Sequence, residues 1–302
     1  MKLIPHKHYK LLGETAKGIF WMLVHCLALV LIMGVVREIT KEGLNNYIII
    51  FWQNVFAFFM IVPYSLSRGG FPKTKKLHLH LGRTMTGISS GLCLFYGLSK
   101  IHLNTATAIT FTGPLFSTIF AIIFLGEKTY RHRVVGLFVG FIGVLIVLRP
   151  GTDAFNPDSL FLVLTAALWG GTDMFIKLMN RTESIRTIMF YRAILMLAAT
   201  TPFLFLFPQP ITQHEWLLLF LLACLDMTNS VTAVKAYKHA DISVLMPFDF
   251  SRLVFSSIFA YLVFSETLSL WTAIGSMVII YGTLFVFYKE HKRSRIISTE
   301  SN

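Results

Sequence analysis

In the stretch "MPFDFSRLVFSS", Met246 to Ser257, an acid and a base stand three residues apart in a run that is otherwise mostly apolar. At that spacing Asp249 and Arg252 share one face of a helix, and Ser256 continues it. Asp173, Arg192 and Asp226 interrupt other apolar runs in the same way. Asp226 and Asn229 repeat the i, i+3 spacing, while Trp169 with Asp173 and Trp21 with His25 are i, i+4. Two chemistries are open to such residues. An Asp–Arg pair can neutralise itself and pin helix packing. Alternatively, Arg takes a ligand carboxylate through its planar fork, and Asp takes an ammonium or sulfonium. An indole one turn from a carboxylate is a wall for a flat or cationic ligand, although core or lipid-interface packing would use Trp equally well. His25 reads as a packing or hydrogen-bonding residue.

The elements that must position these residues are membrane helices. Of 302 residues 55% are hydrophobic and 14% charged, with 28 Phe; mean hydropathy is +0.65. A soluble domain carries about 25% charged residues. Apolar runs recur at roughly 17–37, 45–66, 80–100, 103–125, 131–149, 159–179, 184–206, 214–236, 241–264 and 268–288. A run of about twenty residues spans a bilayer core of ~30 Å. A barrel would need shorter segments of alternating polarity, and these are absent. The expected fold is therefore an all-α integral membrane protein of ten transmembrane helices. At mid-bilayer each ionisable residue costs about 2.5–3.5 kcal/mol, which points to function where such residues are retained.

The net charge of +12 lies in short loops, where it sets topology and does not call for a nucleic-acid partner. Twenty-one Lys and Arg fall on the side of the N-terminus, five of them around 68–83 with Arg83 included, against four on the other side. Both termini are expected in the cytoplasm. Cys26, Cys93 and Cys224 lie inside spans without metal-ligand spacing, so no metal and no cofactor is implied. The basic N-terminus shows no small-residue cleavage motif and leads into a full span, which reads as an uncleaved first helix.

The chain repeats itself 139 residues on: Phe51 with Phe190, Pro63 with Pro202, Glu127 with Glu266, Gly136 with Gly275 and Gly143 with Gly282. The halves, 1–150 and 151–302, hold five spans each. An odd count inverts the second half, giving two inverted five-helix repeats, a recurring plan of secondary transporters with the site near the midplane. Opposite Asp249, Arg252, Arg192 and Asp226 stand Thr110, Gly113, Gln53 and Gly87. The second half carries the charge and the first supplies a neutral polar wall.

"FYRAILMLAATTP", "TATAITFTGPLFSTIFAIIFLGE", "GLFVGFIGVLIVLRPG" and "MPFDFSRLVFSSIFAYLVFSE" together resemble the drug/metabolite transporter superfamily in its ten-helix EamA-type branch. Gln53, in "FWQNVFAF", departs from the Arg expected there. The resemblance implies a multi-pass carrier of the inner membrane moving a small-molecule metabolite by alternating access. Members include S-adenosylmethionine and riboflavin uptake carriers, beside exporters of amino acids and metabolites. Three acids and two Arg suit a zwitterion or a ligand with one extra positive charge, and S-adenosylmethionine combines those charges with an aromatic base. The candidate substrate-binding residues are Asp249, Arg252, Arg192, Asp173, Asp226, Asn229, Trp169, Trp21, Gln53, Asn54, Thr110 and Phe248. The partners expected are the metabolite, the lipid bilayer and a coupling proton or counter-substrate; monomer and homodimer both stay open.

Other signals read as structural. "GISSG", Gly87 to Gly91, matches a nucleophile-elbow pattern but lies inside a membrane helix, where G-x-x-x-G brings helices close. Glu127 and Glu266 sit where they would cap the following helix, and Pro114 and Pro247 where they would kink their own. No phosphate-binding loop appears, and no nucleophile–base constellation supports a membrane enzyme. A channel would show unitary currents in place of saturable exchange. The topology is checked with single cysteines introduced near Asn46 and Asn156. An impermeant maleimide is expected to label both from outside intact cells; labelling that requires permeabilisation would reverse the assignment.

Overall fold

The computed structural model describes residues 6–126, 131–148, 156–249, 251–265 and most of 270–289. Among the described residues all regular structure is helical. The order is α1 (His6–Lys41), α2 (Asn46–Ser67), α3 (Leu77–Lys100), α4 (Leu103–Thr110), α5 (Gly113–Leu125), α6 (Arg131–Leu148), α7 (Ser159–Asn180), α8 (Ile185–Leu206), α9 (Gln213–His239), α10 (Ile242–Asp249) and α11 (Ser251–Phe264). Further helical residues lie within 270–289. Five helices, α1 from Glu14 onward, α2, α7, α8 and α9, are long and apolar enough to cross a membrane. Large apolar side chains such as Phe59, Phe205 and Leu262 point outward, as lipid-facing residues do.

Local sequence explains where the helices begin. Asn45 accepts a hydrogen bond from the Tyr47 amide to start α2, and Ser184 from the Thr187 amide to start α8. Thr212 and Glu215 form a reciprocal capping box on α9. Each satisfies amides that the first helical turn leaves open. The run 103–125 is not one helix as its apolarity suggests. It turns at Phe111–Thr112, and Pro114 enters the first turn of α5. There the missing Pro N–H costs no helical bond. Pro247 lies within α10, while Glu127 and Glu266 fall outside the described residues.

The principal pairings are α1 with α9, α3 with α7 and α2 with α8, and α7 also packs along α5. The segment from Lys177 to Arg186 ties several helix ends to one face. Lys177 Nζ donates to the carbonyls of Ala240 (2.7 Å) and Tyr237 (3.2 Å) at the end of α9. Arg181 donates to the Leu125 carbonyl closing α5 (3.1 Å). Arg186 donates to the carbonyls of Arg68 (2.9 Å) and Gly70 beyond α2. Cations at these carbonyl ends satisfy acceptors that the last turn leaves open and oppose the negative end of the helix dipole.

The α5–α7 contact depends on a glycine. A Cβ on Gly170 would stand 2.8 Å from the backbone of Phe116 and Ser117, so the two helices touch with no side chain between them. Gly170→Ala is expected to lower the melting temperature of the purified protein, with an overpacking cost of about 1–3 kcal/mol. Gly91→Ala is the control: its Cβ would meet only Ile50, at 3.6 Å, and little change is expected.

Candidate functional site

One cavity of about 180 Å³ lies between the helices, with walls from both halves of the chain. The second half contributes Trp169 and Asp173 from α7, Arg192 from α8, Asp226 and Asn229 from α9, Asp249 from α10 and Arg252 from α11. Gln53 and Asn54 of α2 stand in the opposite wall. Nine of the twelve residues singled out from sequence therefore meet at this cavity.

Three do not. Trp21 carries Lys235 over its ring, with Nζ 3.8 Å from the centroid, and it is His25, one turn on, that reaches the cavity. Thr110 is fully buried at the end of α4. Phe248 packs partly buried against the apolar cluster around Cys26 and Met246.

The charges are arranged as pairs. Arg192 donates to Asp226 at 2.5 Å. Arg252 donates to the Asp249 carboxylate and through Nε to the Asp249 carbonyl at 3.3 Å. The Arg252 guanidinium also lies 5.2 Å from the Phe111 ring centroid and 5.5 Å from that of Trp169. It is 2% exposed, and Asp249 5%. Cys26 Sγ sits 3.6 Å from Asp249 Oδ1. Asp173 accepts from Ser117 Oγ at 2.7 Å, and the Tyr237 phenol lies beside the same carboxylate. His25 Nδ1 stands 3.1 Å from the Asn229 carbonyl. Each carboxylate thus has a donor in place of water, as a buried charge requires.

Sequence reasoning missed a sixth charge. Arg83, counted above with the cytoplasmic loop, is inside α3, 5% exposed, and lines the cavity. With it the cavity holds Asp173, Asp226 and Asp249 against Arg83, Arg192 and Arg252, so the excess of one acid disappears. A signal was available: Arg83, Gly87, Ser90 and Leu94 recur at helical spacing, and all face the cavity. The two glycines of "GISSG" serve the same wall. Cβ atoms on Gly87 and Gly91 would meet only Met196 at 3.7 Å and Ile50 at 3.6 Å. These positions keep the cavity open and are not a close helix contact; the closer α3–α7 approaches are at Gly82, against Phe175, and Gly97, against Leu162.

An apolar outer surface around a cavity lined by charged groups is an arrangement compatible with a membrane protein that handles a polar solute. The comparison with known families agrees: the EamA-like transporter family matches residues 16–149 and 158–288. The chain belongs to the EamA-like transporter family. This transporter is 32% identical over 256 residues to an S-adenosylmethionine uptake transporter of Rickettsia bellii, covering 82% of this chain and 86% of the relative. It is 30% identical to the protein of that name in Rickettsia prowazekii, covering 91% and 94%. It is 29% identical to a riboflavin transporter of Vibrio cholerae, covering 96% and 97%. A solved crystal structure at 16% identity superposes with a TM-score of 0.69 over 91% of this chain and 98% of its own; that likeness concerns the fold alone. The protein is a multi-pass small-molecule transporter.

The ion pairs carry a prediction. Arg252→Gln leaves Asp249 buried without its cation, a change that costs about 3–5 kcal/mol in buried pairs. The Asp249→Asn/Arg252→Gln double variant is expected to regain most of the lost thermal stability and to remain unable to bind substrate. Melting curves and ligand binding on the same preparations separate the two effects. A double variant that binds normally would reduce the pair to a packing device.

Proposed function

We propose that this transporter is a secondary carrier that moves a zwitterionic, amino-acid-like metabolite across the bacterial inner membrane by alternating access. S-adenosylmethionine is the substrate the observations favour. The observation that carries this reading is the cavity, where Asp249–Arg252, Arg192–Asp226 and Asp173 surround a space shared by both halves. Opposite charges a few ångströms apart on a preformed wall match a ligand that carries both signs. Trp169 offers a ring for its aromatic base. The similarity to S-adenosylmethionine uptake transporters at 30–32% identity supports the same choice.

The arrangement proposed is ten transmembrane helices in two inverted five-helix repeats, 1–150 and 151–302, with both termini in the cytoplasm. The bounds of α2 and α4 recur 139 residues later as those of α8 and α10. The pairing of α1 with α9 is answered by that of α3 with α7, as a pseudo-twofold between halves would require. The basic segment from Lys177 to Arg186 lies at the ends of α2, α5 and α9, which supports a cytoplasmic face there. A break such as that between α4 and α5, beside the site, is where discontinuous helices of carriers place their substrates.

Riboflavin is the second reading, favoured by relatives of that name. Counterflow in proteoliposomes decides between them. Labelled S-adenosylmethionine is expected to enter saturably and faster when the unlabelled compound is preloaded. Riboflavin counterflow without that of S-adenosylmethionine would select the second substrate, and unitary currents with no counterflow would overturn the carrier reading. Asp226→Asn, assayed with and without a pH gradient, distinguishes a coupling proton from simple exchange.

A further inference from the structure

Arg83 differs from the other two arginines of the cavity. Arg192 and Arg252 each hold an aspartate. Among the described residues no carboxylate lies within the 4.0 Å of an ion pair with Arg83. Its hydrogen bond is a long one, from Nη1 to the Ile188 carbonyl at 3.5 Å. The charges that act on it, Arg192, Asp226 and Asp173, stand farther off around the cavity. A guanidinium presents five donors and stays charged. Here it is 5% exposed and its donors go largely unused. Burial of a charge without a close counter-ion is destabilising, and an incoming anion would supply at Arg83 the partner that the described residues do not.

Two residues that line the cavity also hold unused acceptors, each oxygen packed away from solvent in this conformation. Asn54 is 1% exposed, and its amide nitrogen donates to the Ile50 carbonyl at 2.8 Å. Its Oδ1 is buried with no donor, and so is Oδ1 of Asn229. Both residues line the cavity. A buried oxygen of this kind loses hydration without recovering a hydrogen bond. An ammonium, which has three donors, is the group that repairs it. A cation with no close carboxylate among the described residues, beside two asparagines whose side-chain oxygens lack donors, is the complement of an α-amino-acid head.

We propose that Arg83 binds the substrate's carboxylate, while Asn54 Oδ1 and Asn229 Oδ1 accept hydrogen bonds from its ammonium. This rests on the cavity being the substrate site. It reassigns the carboxylate from Arg192 and Arg252, which donate to Asp226 and Asp249, to the guanidinium that has no ion-pair partner among the described residues. The two ion pairs then shape and neutralise the wall around the rest of the molecule. The ligand class is any metabolite with a free α-amino-acid end, which separates it from riboflavin.

The test compares S-adenosylmethionine with its decarboxylated form, which keeps the base, the sulfonium and a terminal ammonium. Binding is measured to the purified full chain in lipid nanodiscs. A charge-assisted pair predicts that the wild type prefers S-adenosylmethionine by about 10- to 100-fold. Arg83→Gln is expected to erase that preference by weakening S-adenosylmethionine alone. Arg83→Lys, which keeps the charge and loses the fork, is expected to retain part of it. Asn54→Leu is expected to weaken both compounds, since both keep the ammonium.

Melting temperature is the readout that a merely structural role would move. Arg83→Gln is expected to melt no lower than the wild type, because it removes a buried charge that has no carboxylate in ion-pair contact among the described residues. If Arg83→Gln keeps the preference, weakens both compounds equally or melts well below the wild type, the assignment of Arg83 fails. Wild-type protein that binds both compounds equally overturns this proposal alone. Binding of neither compound, or of riboflavin in their place, overturns the substrate reading and this assignment together.

Discussion

A carboxylate or guanidinium withdrawn from water loses several kcal/mol of hydration unless a partner replaces it. In this chain six such groups share one cavity. The helices must therefore converge so that Asp249 meets Arg252 and Asp226 meets Arg192, with Ser117 turned toward Asp173. The α9–α8 contact is constrained by the second of these pairs, and the α5–α7 contact by the third. The Ser117–Asp173 bond lies where α5 and α7 approach closely, and Gly170 permits that approach. One electrostatic requirement is thus accompanied by a packing requirement three positions away.

The same economy of donors and acceptors governs the edges of the bundle. Helix ends expose carbonyls, and in this chain Lys177, Arg181 and Arg186 close those of α9, α5 and α2. These residues have two roles. Their charge is of the kind that biases membrane orientation, and their hydrogen bonds hold distant parts of the chain together at one face. At the cavity the rule is relaxed. Arg83 makes one long hydrogen bond there, and Asn54 Oδ1 and Asn229 Oδ1 are among the buried atoms without a partner. Unmet hydrogen-bonding capacity is a poor contribution to stability and a good one to recognition, since it is satisfied only when a ligand arrives.

Much of the fold is legible because apolar runs and caps are local. The runs at 159–179 and 184–206 become Ser159–Asn180 and Ile185–Leu206 within a residue. Asn45, Ser184 and Thr212 mark helix starts by chemistry that acts over three residues. The charges inside apolar runs were legible for the same reason, since their neighbours are apolar. Arg83 escaped because its neighbours are not: "LHLHLGRTMTG" reads as the edge of a loop, although α3 starts at Leu77 and carries Arg83 more than a turn inside. The turn at Phe111–Thr112 was hidden by apolarity on both sides.

By itself, then, the sequence determined that this is a helical membrane protein, where most helices begin and end, and that acids and bases are buried along them. These follow from hydrophobicity, capping and helical spacing, which act between near neighbours in the chain. Only the tertiary structure decided which charges satisfy one another. Arg192 could have faced Asp173 or Asp226, and Trp21 could have faced the cavity in place of Lys235. Those choices depend on the rotation of each helix about its axis and on packing at contacts such as Gly170. Both are set by the whole bundle at once, which is why the unpaired state of Arg83 could be seen only there.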